Sequence, residues 1–202
     1  MKEQDMKREK STLVKPHNEV LSYLVEVTDK EGHVIKRIEA PSKSFVRQWN
    51  QVVNIQAKQL ASTLTDTGGV GRSISVVSVN LLIQAGAGVT NYGIRVGKGS
   101  TAVTINDYAL ETPLAEGAGA DQLNHVAGTY TGVAINGSDA SFNIKRSMIN
   151  NSGSTISGIN EIGAYMRMGS YYGLAFRDVL GGAVSVPDGG AITITYTIKV
   201  SA

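Results

Sequence analysis

The sequence predicts a mainly β protein, an antiparallel β-sandwich of jelly-roll-like type with an N-terminal β-hairpin and one long α-helix. Three observations lead to this fold class. The 202-residue chain contains 23 glycines, well above the usual share of ~7%. Charged residues make up only 18% of the chain, against the ~25% that is typical. Many short stretches alternate apolar with polar residues and are separated by turn residues, as in sandwich proteins.

The first predicted element is the hairpin "VLSYLVEVTDKEGHVIKRIEAP". Residues 29–32 supply the turn, and Val34, Ile35 and Ile38 continue the return strand. In the first strand, polar residues alternate with the apolar residues Leu21, Tyr23, Val25 and Val27.

The next segment, 42–62, changes to a helical period. Ser42 or Ser44 is the predicted N-cap. An apolar stripe at helical spacing must pack on a sheet or on another subunit. Its residues are Phe45, Trp49, Val52, Val53, Gln56 and Leu60.

The glycine-rich sequence at 63–73 predicts a flexible loop and an internal boundary between domains. After it the chain is β-like, beginning with a predicted strand at 73–83 and ending with the clear alternation of "AITITYTIKV". The predicted organisation is a flexible N-terminal arm at 1–18, a β-hairpin plus helix at 19–62 that serves as an attachment element, and a β-sandwich domain at 73–202.

Charge and composition exclude several classes of function. The net charge is +2, and the segment 1–16 alone has five basic and three acidic residues. The rest of the chain is therefore neutral, which argues against dedicated nucleic-acid binding. No apolar run approaches ~18 residues, so no membrane insertion is expected. The chain has no cysteine, which excludes disulfides and thiolate metal sites.

The stretch "VGKGST" invites comparison with phosphate-binding loops. Gly93 and Gly97 are separated by three residues and Lys98 is followed by Gly99, so the P-loop spacing is not met. The β-branched residues that follow do not favour the helix that a P-loop needs. We expect instead that Gly97 and Gly99 supply positive φ in a connection, and no cofactor is predicted.

Catalytic and metal sites also find little support. The histidines His17, His33 and His125 lack metal-ligand spacing, so no metal is predicted. An enzyme acting on cell-wall sugar would need two carboxylates in defined environments. Glu161 lies among apolar residues, and we predict that it forms a structural ion pair with Arg146 or Arg167. The other candidate carboxylates are Asp107, Glu111, Glu116 and Asp121.

Aromatic and arginine residues in the second half indicate a surface for recognition. Tyr165, Tyr171 and Tyr172, together with Arg167 and Arg177, suit either a subunit interface or a sugar- or peptide-binding surface. The interface is the preferred interpretation, because interfaces are enriched in Tyr, Trp and Arg. With the helix residues added, the predicted interface set is Phe45, Trp49, Val53, Tyr165, Arg167, Tyr171 and Tyr172.

Three stretches resemble a β-rich module of tailed-bacteriophage virion proteins. They are "YGIRVGKGSTAVTINDYALETPL", "FNIKRSMINNSGSTISGINEIGAYMR" and "LAFRDVLGGAVSVPDGGAITITYTIKV". The resemblance covers about residues 89–202. It consists of a "VGxGxT" loop leading to a "D-x-x-L" segment, an "EIG" strand after an Asn-Ser-Gly turn, and an "RDVL" strand followed by a Val-Pro-x-Gly turn and a terminal "TxTYTI" strand.

The resemblance implies a non-enzymatic structural protein of a phage tail, baseplate, connector or capsid surface, and it carries over no catalytic residue. The implied partners are copies of the chain itself and other virion proteins. The implied location is the virion, assembled in the cytoplasm of the host bacterium. The alternative is a receptor- or glycan-binding module of a tail fibre, with Tyr165, Tyr171 and Tyr172 facing a host surface glycan.

Overall fold

The computed structural model describes residues 20–42 and 44–201. The arm predicted at 1–18 lies outside the described residues. Within them the protein is mainly β, with several antiparallel sheets and one helix. The predicted sandwich-like, mainly β fold class is thereby confirmed.

The elements follow one another along the chain as thirteen strands and one helix among the described residues. They are β1 Val20–Thr28, β2 Val34–Ser42, α1 Arg47–Lys58, β3 Ser62–Thr65, β4 Gly71–Ile74, β5 Gly93–Gly97, β6 Ala115–Glu116, β7 Gln122–His125, β8 Thr129–Tyr130, β9 Ala134–Asn136, β10 Asp139–Ile149, β11 Ile156–Met168, β12 Tyr171–Val186 and β13 Ala191–Ser201.

The larger sheet has eight strands. Six follow the order β2-β1-β13-β10-β7-β6, and β8 and β9 also pair with β10. Strand β1 runs antiparallel to β13 from the pair Val20 and Lys199 to the pair Thr28 and Ala191. As the alternation predicts, one face of β1 is buried at Leu21, Tyr23, Val25 and Val27.

A second sheet, β12-β11-β5, supplies the opposite layer of the core. One hydrophobic cluster contains residues of both sheets and of α1, which packs against β12. A smaller cluster, consisting of Val46, Leu110, Tyr165 and Leu174, covers another part of the second sheet. Strand β11 is consequently buried at six successive positions, 161–166.

The hairpin and helix are built into this same core. The strands of the hairpin extend the large sheet through the β1–β13 pairing, and Val52 and Ile55 of α1 belong to the main hydrophobic cluster. The elements expected at 19–62 are therefore present, but they do not form a unit apart from the residues 73–202.

The segment 63–73 is a two-stranded hairpin, so the predicted flexible loop is wrong. Strands β3 and β4 pair from Ser62 and Ile74 to Thr65 and Gly71. The Asp66 carboxylate organises the turn by accepting hydrogen bonds from the backbone N–H groups of Gly68 and Val70, both at 2.9 Å, and from Arg72 Nε at 2.7 Å.

The strand predicted at 73–83 is also wrong beyond Ile74, where β4 ends. The backbone then turns, with Asn80 N–H bonded to Val77 O and Leu82 N–H bonded to Val79 O, both at 3.2 Å. Asn80 stabilises the turns through its side chain, which donates to Ser75 O and accepts from the backbone N–H of Gly169. These hydrogen bonds stabilise turns in the segment 73–83, although its valine-rich sequence favours a strand.

The helix is confirmed, whereas its predicted cap is not. Its predicted stripe is confirmed in part, because Phe45, Trp49 and Val52 lie in or against the main hydrophobic cluster. Val46 occupies the N-cap position and makes no side-chain cap bond. The buried helix residues are Gln48, Val52 and Ile55, whereas Val53 is 41% and Leu60 is 65% exposed. The buried stripe is thus rotated away from Val53, because α1 lies along β12 with Val52 and Ile55 towards the core.

Candidate functional site

A connected group of charged side chains surrounds Glu161 on β11, whose side chain is completely buried. Its Oε1 atom accepts hydrogen bonds from the N–H groups of Gly99, at 3.0 Å, and Thr112, at 2.7 Å. Its Oε2 atom accepts from Glu111 N–H at 3.0 Å and from Arg177 Nε at 2.9 Å. Each carboxylate oxygen therefore has two donors, which makes burial of this charge tolerable.

The glycines of the "VGKGST" loop make this arrangement possible sterically. A Cβ atom at Gly97 would lie 2.5 Å from Glu161 Oε1, and one at Gly99 would lie 2.6 Å from the same oxygen. Neither residue is among those with positive φ, so that prediction is wrong. The two glycines serve the close approach of the loop to a carboxylate instead.

Arg177 on β12 is the cation of the cluster and is only 3% exposed. Gly163 lies opposite Arg177 in the β11–β12 register, and Glu161 lies two residues before Gly163 on the same face. Besides its bond to Glu161, Arg177 donates from Nη1 to Asp107 Oδ2 at 2.8 Å. Its Nη2 atom lies 3.5 Å from Glu111 Oε2, so one guanidinium faces three carboxylates.

The same contacts shift the pKa values of the charged groups around Glu161. Burial alone raises the pKa of Asp107, but hydrogen bonds from Thr104 and Arg177 outweigh it and lower that pKa. The pKa of Glu111 is lowered chiefly by the backbone N–H of Thr101. Burial lowers the pKa of Arg177, but Asp107 and Glu161 outweigh it and raise that pKa. All three groups are therefore held in their charged forms.

This geometry decides what the cluster can do chemically. The backbone N–H groups that a phosphate would need are bound to the protein's own carboxylates: Gly99 to Glu161, and both Ser100 and Thr101 to Glu111. Glu161 is also fully engaged and has no contact with solvent. A catalytic acid or base must reach its substrate. The buried Glu161–Arg177 pair instead suits a structural role, in which it holds the loop 97–112 against β11 and β12.

Glu161 is paired as predicted, but neither predicted partner is correct. Arg146 lies on β10, where its guanidinium donates to the carbonyl oxygens of Gly86, Val89, Ile94 and Val126. Burial lowers the pKa of Arg146 to about 10. Arg167 donates to Gly169 O. Each arginine is committed to backbone carbonyls elsewhere, so Arg177 is left as the partner.

The neighbouring residue Asp178 faces a different environment. Ser42 Oγ donates to its Oδ2 atom at 2.9 Å and Tyr196 Oη donates at 3.0 Å. Burial raises the pKa of Asp178, although hydroxyl groups, including that of Ser44, act in the opposite direction. The carboxyl group borders a surface pocket of about 470 Å³ that is also lined by Tyr23 and Phe45. A buried carboxyl beside a pocket is a feature of functional sites.

The histidines do not converge among the described residues. His125 is buried, and its Nδ1 atom lies 2.7 Å from Glu116 Oε2. His33 lies at the tip of the first hairpin, where ligand atoms of Asp29, Glu31 and His33 lie within 4.8 Å of one another. This group is largely exposed, and Asp29 already accepts a bond from His33 N–H at 2.8 Å. His17 lies outside the described residues.

The helix residues of the predicted interface belong mainly to the protein's own core. The Phe45 ring lies 5.3 Å from that of Trp49 and 5.6 Å from that of Phe176, and Trp49 itself lies 5.7 Å from Phe176. Both side chains are partly buried against the main cluster. Only Val53 presents a largely exposed apolar surface from this part of the set.

The strand residues of the predicted interface are likewise divided into buried and accessible side chains. Tyr165 is only 4% exposed, and its hydroxyl accepts a hydrogen bond from Leu110 N–H at 2.8 Å. Its predicted role at a surface is therefore wrong, because Leu110 and Val46 cover this side of β11. Tyr171 and Tyr172 remain accessible. Arg72 lies over the Tyr171 ring at 4.8 Å, and Tyr172 stacks on Tyr92 at 6.1 Å.

The sequence pointed to Glu161 but not to Arg177 or Asp178 as buried polar residues. A lone charge in an apolar strand was the signal for Glu161. Arg177 and Asp178 are adjacent in the chain and face opposite sides of β12, where each is 7% exposed or less. Alternation along a strand predicts that one of two successive charged residues is buried and the other is exposed. The burial of both Arg177 and Asp178 could therefore not be predicted from the sequence.

Comparison of the chain with protein-family models, curated proteins and solved structures finds no match. Among residues 20–42 and 44–201, no helix has the length and apolar character needed to cross a membrane.

Proposed function

We propose that this chain is a non-enzymatic structural protein of a bacteriophage particle that self-associates and docks on other virion proteins. The observation that carries the proposal is the convergence of the three stretches that resemble phage virion proteins. The loop at 97–112, the "EIG" strand and the "RDVL" strand meet at the Glu161–Arg177 pair. The three stretches thus form one connected structural feature.

The use of charge within this feature supports a structural role. Glu161 and Arg177 are buried and bind each other, while Asp107 and Glu111 bind Arg177 from the loop. Such a cluster holds a long connection against a sheet. A subunit that is repeated many times in a particle needs this rigidity more than it needs a reactive side chain.

The exposed apolar residues of the large sheet support association. Five of them lie on its strands β2, β8, β9 and β13: Val34, Ile35, Tyr130, Ile135 and Val200. Val200 and Ile135 flank Ala140 on adjacent strands, so they form a continuous apolar strip. Exposed apolar patches are typical of surfaces that contact other proteins.

The direct test is mass spectrometry of particles produced by the bacterium that carries the coding sequence. We expect peptides of this chain in the purified particles, in a fixed ratio to those of other virion proteins. Loss of the chain from particles that are washed at high salt and purified by density would contradict a structural role.

A second candidate, glycan recognition by a tail fibre, is favoured by the accessible aromatic rings at the start of β12, where Tyr171 lies beneath Arg72 and Tyr172 stacks on Tyr92. Aromatic faces of this kind suit the apolar faces of sugars. A glycan array separates the two proposals: binding that is lost in Tyr171→Ala and kept in Tyr130→Ala would favour the receptor function. Tyr130 is as exposed as Tyr171, at 37%, and is therefore the matched control.

A further inference from the structure

The outer edge of β2 has no strand partner within the described part of the chain. Strand β2 ends the large sheet and pairs on its other side with β1, from Leu21 and Ser42 to Thr28 and Val34. A free edge presents unpaired N–H and C=O groups that can pair with another strand. Val34 and Ile35 on this strand are 55% and 54% exposed.

Two backbone features restrict where another strand can pair. The β1–β2 register skips Ile35, which is therefore a bulge residue, and bulges interrupt regular pairing. Pro41 has no N–H group to donate. Ile35 and Pro41 each lie three residues from Ile38 in the sequence. The regular window 36–40 between them is consequently symmetric about Ile38.

The charge pattern of this window is complementary to that of a second copy that runs antiparallel to it. In an antiparallel pair of two such windows with Ile38 opposite Ile38, Arg37 of each copy lies opposite Glu39 of the other. A shift of two residues places Arg37 opposite Arg37 or Glu39 opposite Glu39. Opposite charges across strands are favourable and like charges are unfavourable, so the charges favour the register that is centred on Ile38.

We propose that β2 pairs antiparallel with β2 of a second copy of this chain, with the two-fold axis at Ile38. The proposal names the partner in the self-association put forward above and rests on that part of the proposed function. Arg37 and Glu39 are already on one face of the edge, with Arg37 Nη2 3.2 Å from Glu39 Oε2 and Arg37 Nη1 3.3 Å from Glu26 Oε1. The second copy adds a Glu39 and an Arg37 to this exposed group.

The pairing joins two large sheets through one isologous contact. It removes the free edge of both copies and leaves the helix and the second sheet available to other partners. The contact is short, so we expect the dimer to be weak in dilute solution and stronger where copies are concentrated on a particle.

The absence of cysteine from the chain permits a direct geometric test. Residues on the two-fold axis face their own copies, so Ile38→Cys is expected to form a disulfide-linked dimer when the full chain is oxidised with diamide. Lys36→Cys and Ala40→Cys are matched controls on the same strand. Each alone lies too far from its own copy for a disulfide, but a mixture of the two is expected to cross-link, because residue 36 faces residue 40.

Charge reversal tests the register. In the Ile38→Cys background, Arg37→Glu or Glu39→Arg is expected to slow cross-linking by about tenfold, since each places like charges opposite each other twice. The double variant Arg37→Glu with Glu39→Arg is expected to restore the rate. Thermal melting followed by circular dichroism checks that every variant is folded.

The outcomes distinguish this proposal from the proposed function. A chain that assembles in solution without cross-linking through Ile38→Cys would overturn the β2 pairing and leave self-association intact. Equal cross-linking of all three single cysteine variants would also overturn it, because random collision is then sufficient. Cross-linking through residue 38 alone, in a chain that is absent from phage particles, would support the pairing and contradict the virion function.

Discussion

Arg177 Nε donates to Glu161 Oε2 at 2.9 Å, and these two side chains are 3% and 0% exposed. The pair joins β12 to β11, and the same carboxylate accepts backbone bonds from the loop at 99–112. A buried pair is held mainly by the cost of separating it, because either charge alone is poorly tolerated in the interior.

Replacing Glu161 by Gln is therefore expected to destabilise the protein strongly. The amide removes the negative charge beside Arg177 and presents a donor where four donors converge, so we expect a loss of about 3–5 kcal/mol in the free energy of unfolding. Urea denaturation measures it. The control Asp121→Asn breaks the exposed pair with Lys98 and should cost no more than about 1 kcal/mol. Similar losses in both variants would show that the buried pair contributes no more to stability than the exposed pair.

The glycine loop gives a steric prediction. Gly99→Ala places a methyl group 2.6 Å from Glu161 Oε1 and 2.5 Å from Glu111 Cβ, so we expect a loss of about 1–3 kcal/mol from overpacking. Gly132→Ala is the matched control, because a Cβ there meets nothing within 4 Å. Thermal melting compares the two, and an unchanged melting temperature for Gly99→Ala would show that the loop does not need the close approach.

Asp178 gives a prediction about pH. Burial raises the pKa of Asp178 above that of the unfolded chain. Below the unfolded pKa both states are protonated; as the pH rises through the folded pKa, the native state bears the full cost of the buried charge. Asp178→Asn is therefore expected to melt higher than the wild type at pH 7, with a difference that shrinks on acidification. A constant difference at all pH values would contradict the argument.

His125 titrates with the opposite effect on stability. Burial, followed by the charges of Arg146 and Arg95, lowers the pKa of His125, although Glu116 acts against them. The unfolded chain then takes up a proton near pH 6.5 while the folded chain does not. Stability from this group is complete above about pH 6.5 and falls as the pH decreases. His125→Asn should reduce this slope in denaturation measured between pH 7 and 5, and an unaltered slope would assign it to other groups.

Trp49 tests whether the helix anchors the core or an interface. Its contacts with Phe45 and Phe176 lie within one chain, so Trp49→Ala is expected to lower the free energy of unfolding by about 3 kcal/mol. Val53→Ser removes an exposed apolar side chain from the same helix and is expected to leave stability nearly unchanged. A fully stable Trp49→Ala chain that no longer assembles would restore Trp49 as an interface residue.

Strands whose faces are buried on one side were predictable from alternation. β1 and β13 follow the pattern because one face of each lies on the core. Tyr165 was misplaced for a related reason: β11 is covered on both sides, so alternation carries no information about which of its residues are exposed. The hairpin at 62–74 was missed because the Asp66 carboxylate, rather than an apolar pattern, organises its turn.

The site was predictable only in part. A single charged residue within an apolar sequence indicated that Glu161 is paired. Its partner depends on the register between β11 and β12, which is interrupted by bulges. The sequence alone does not give that register. The purpose of Gly97 and Gly99 depends in turn on the carboxylate, which lies more than sixty residues further along the chain.

Light scattering by the full chain over a concentration series measures whether this protein is a self-associating subunit. We expect a mass that rises from that of the 21.3 kDa chain to a defined multiple of it. A mass of one chain at every concentration, together with no cross-linking through Ile38→Cys, would show that the chain does not self-associate.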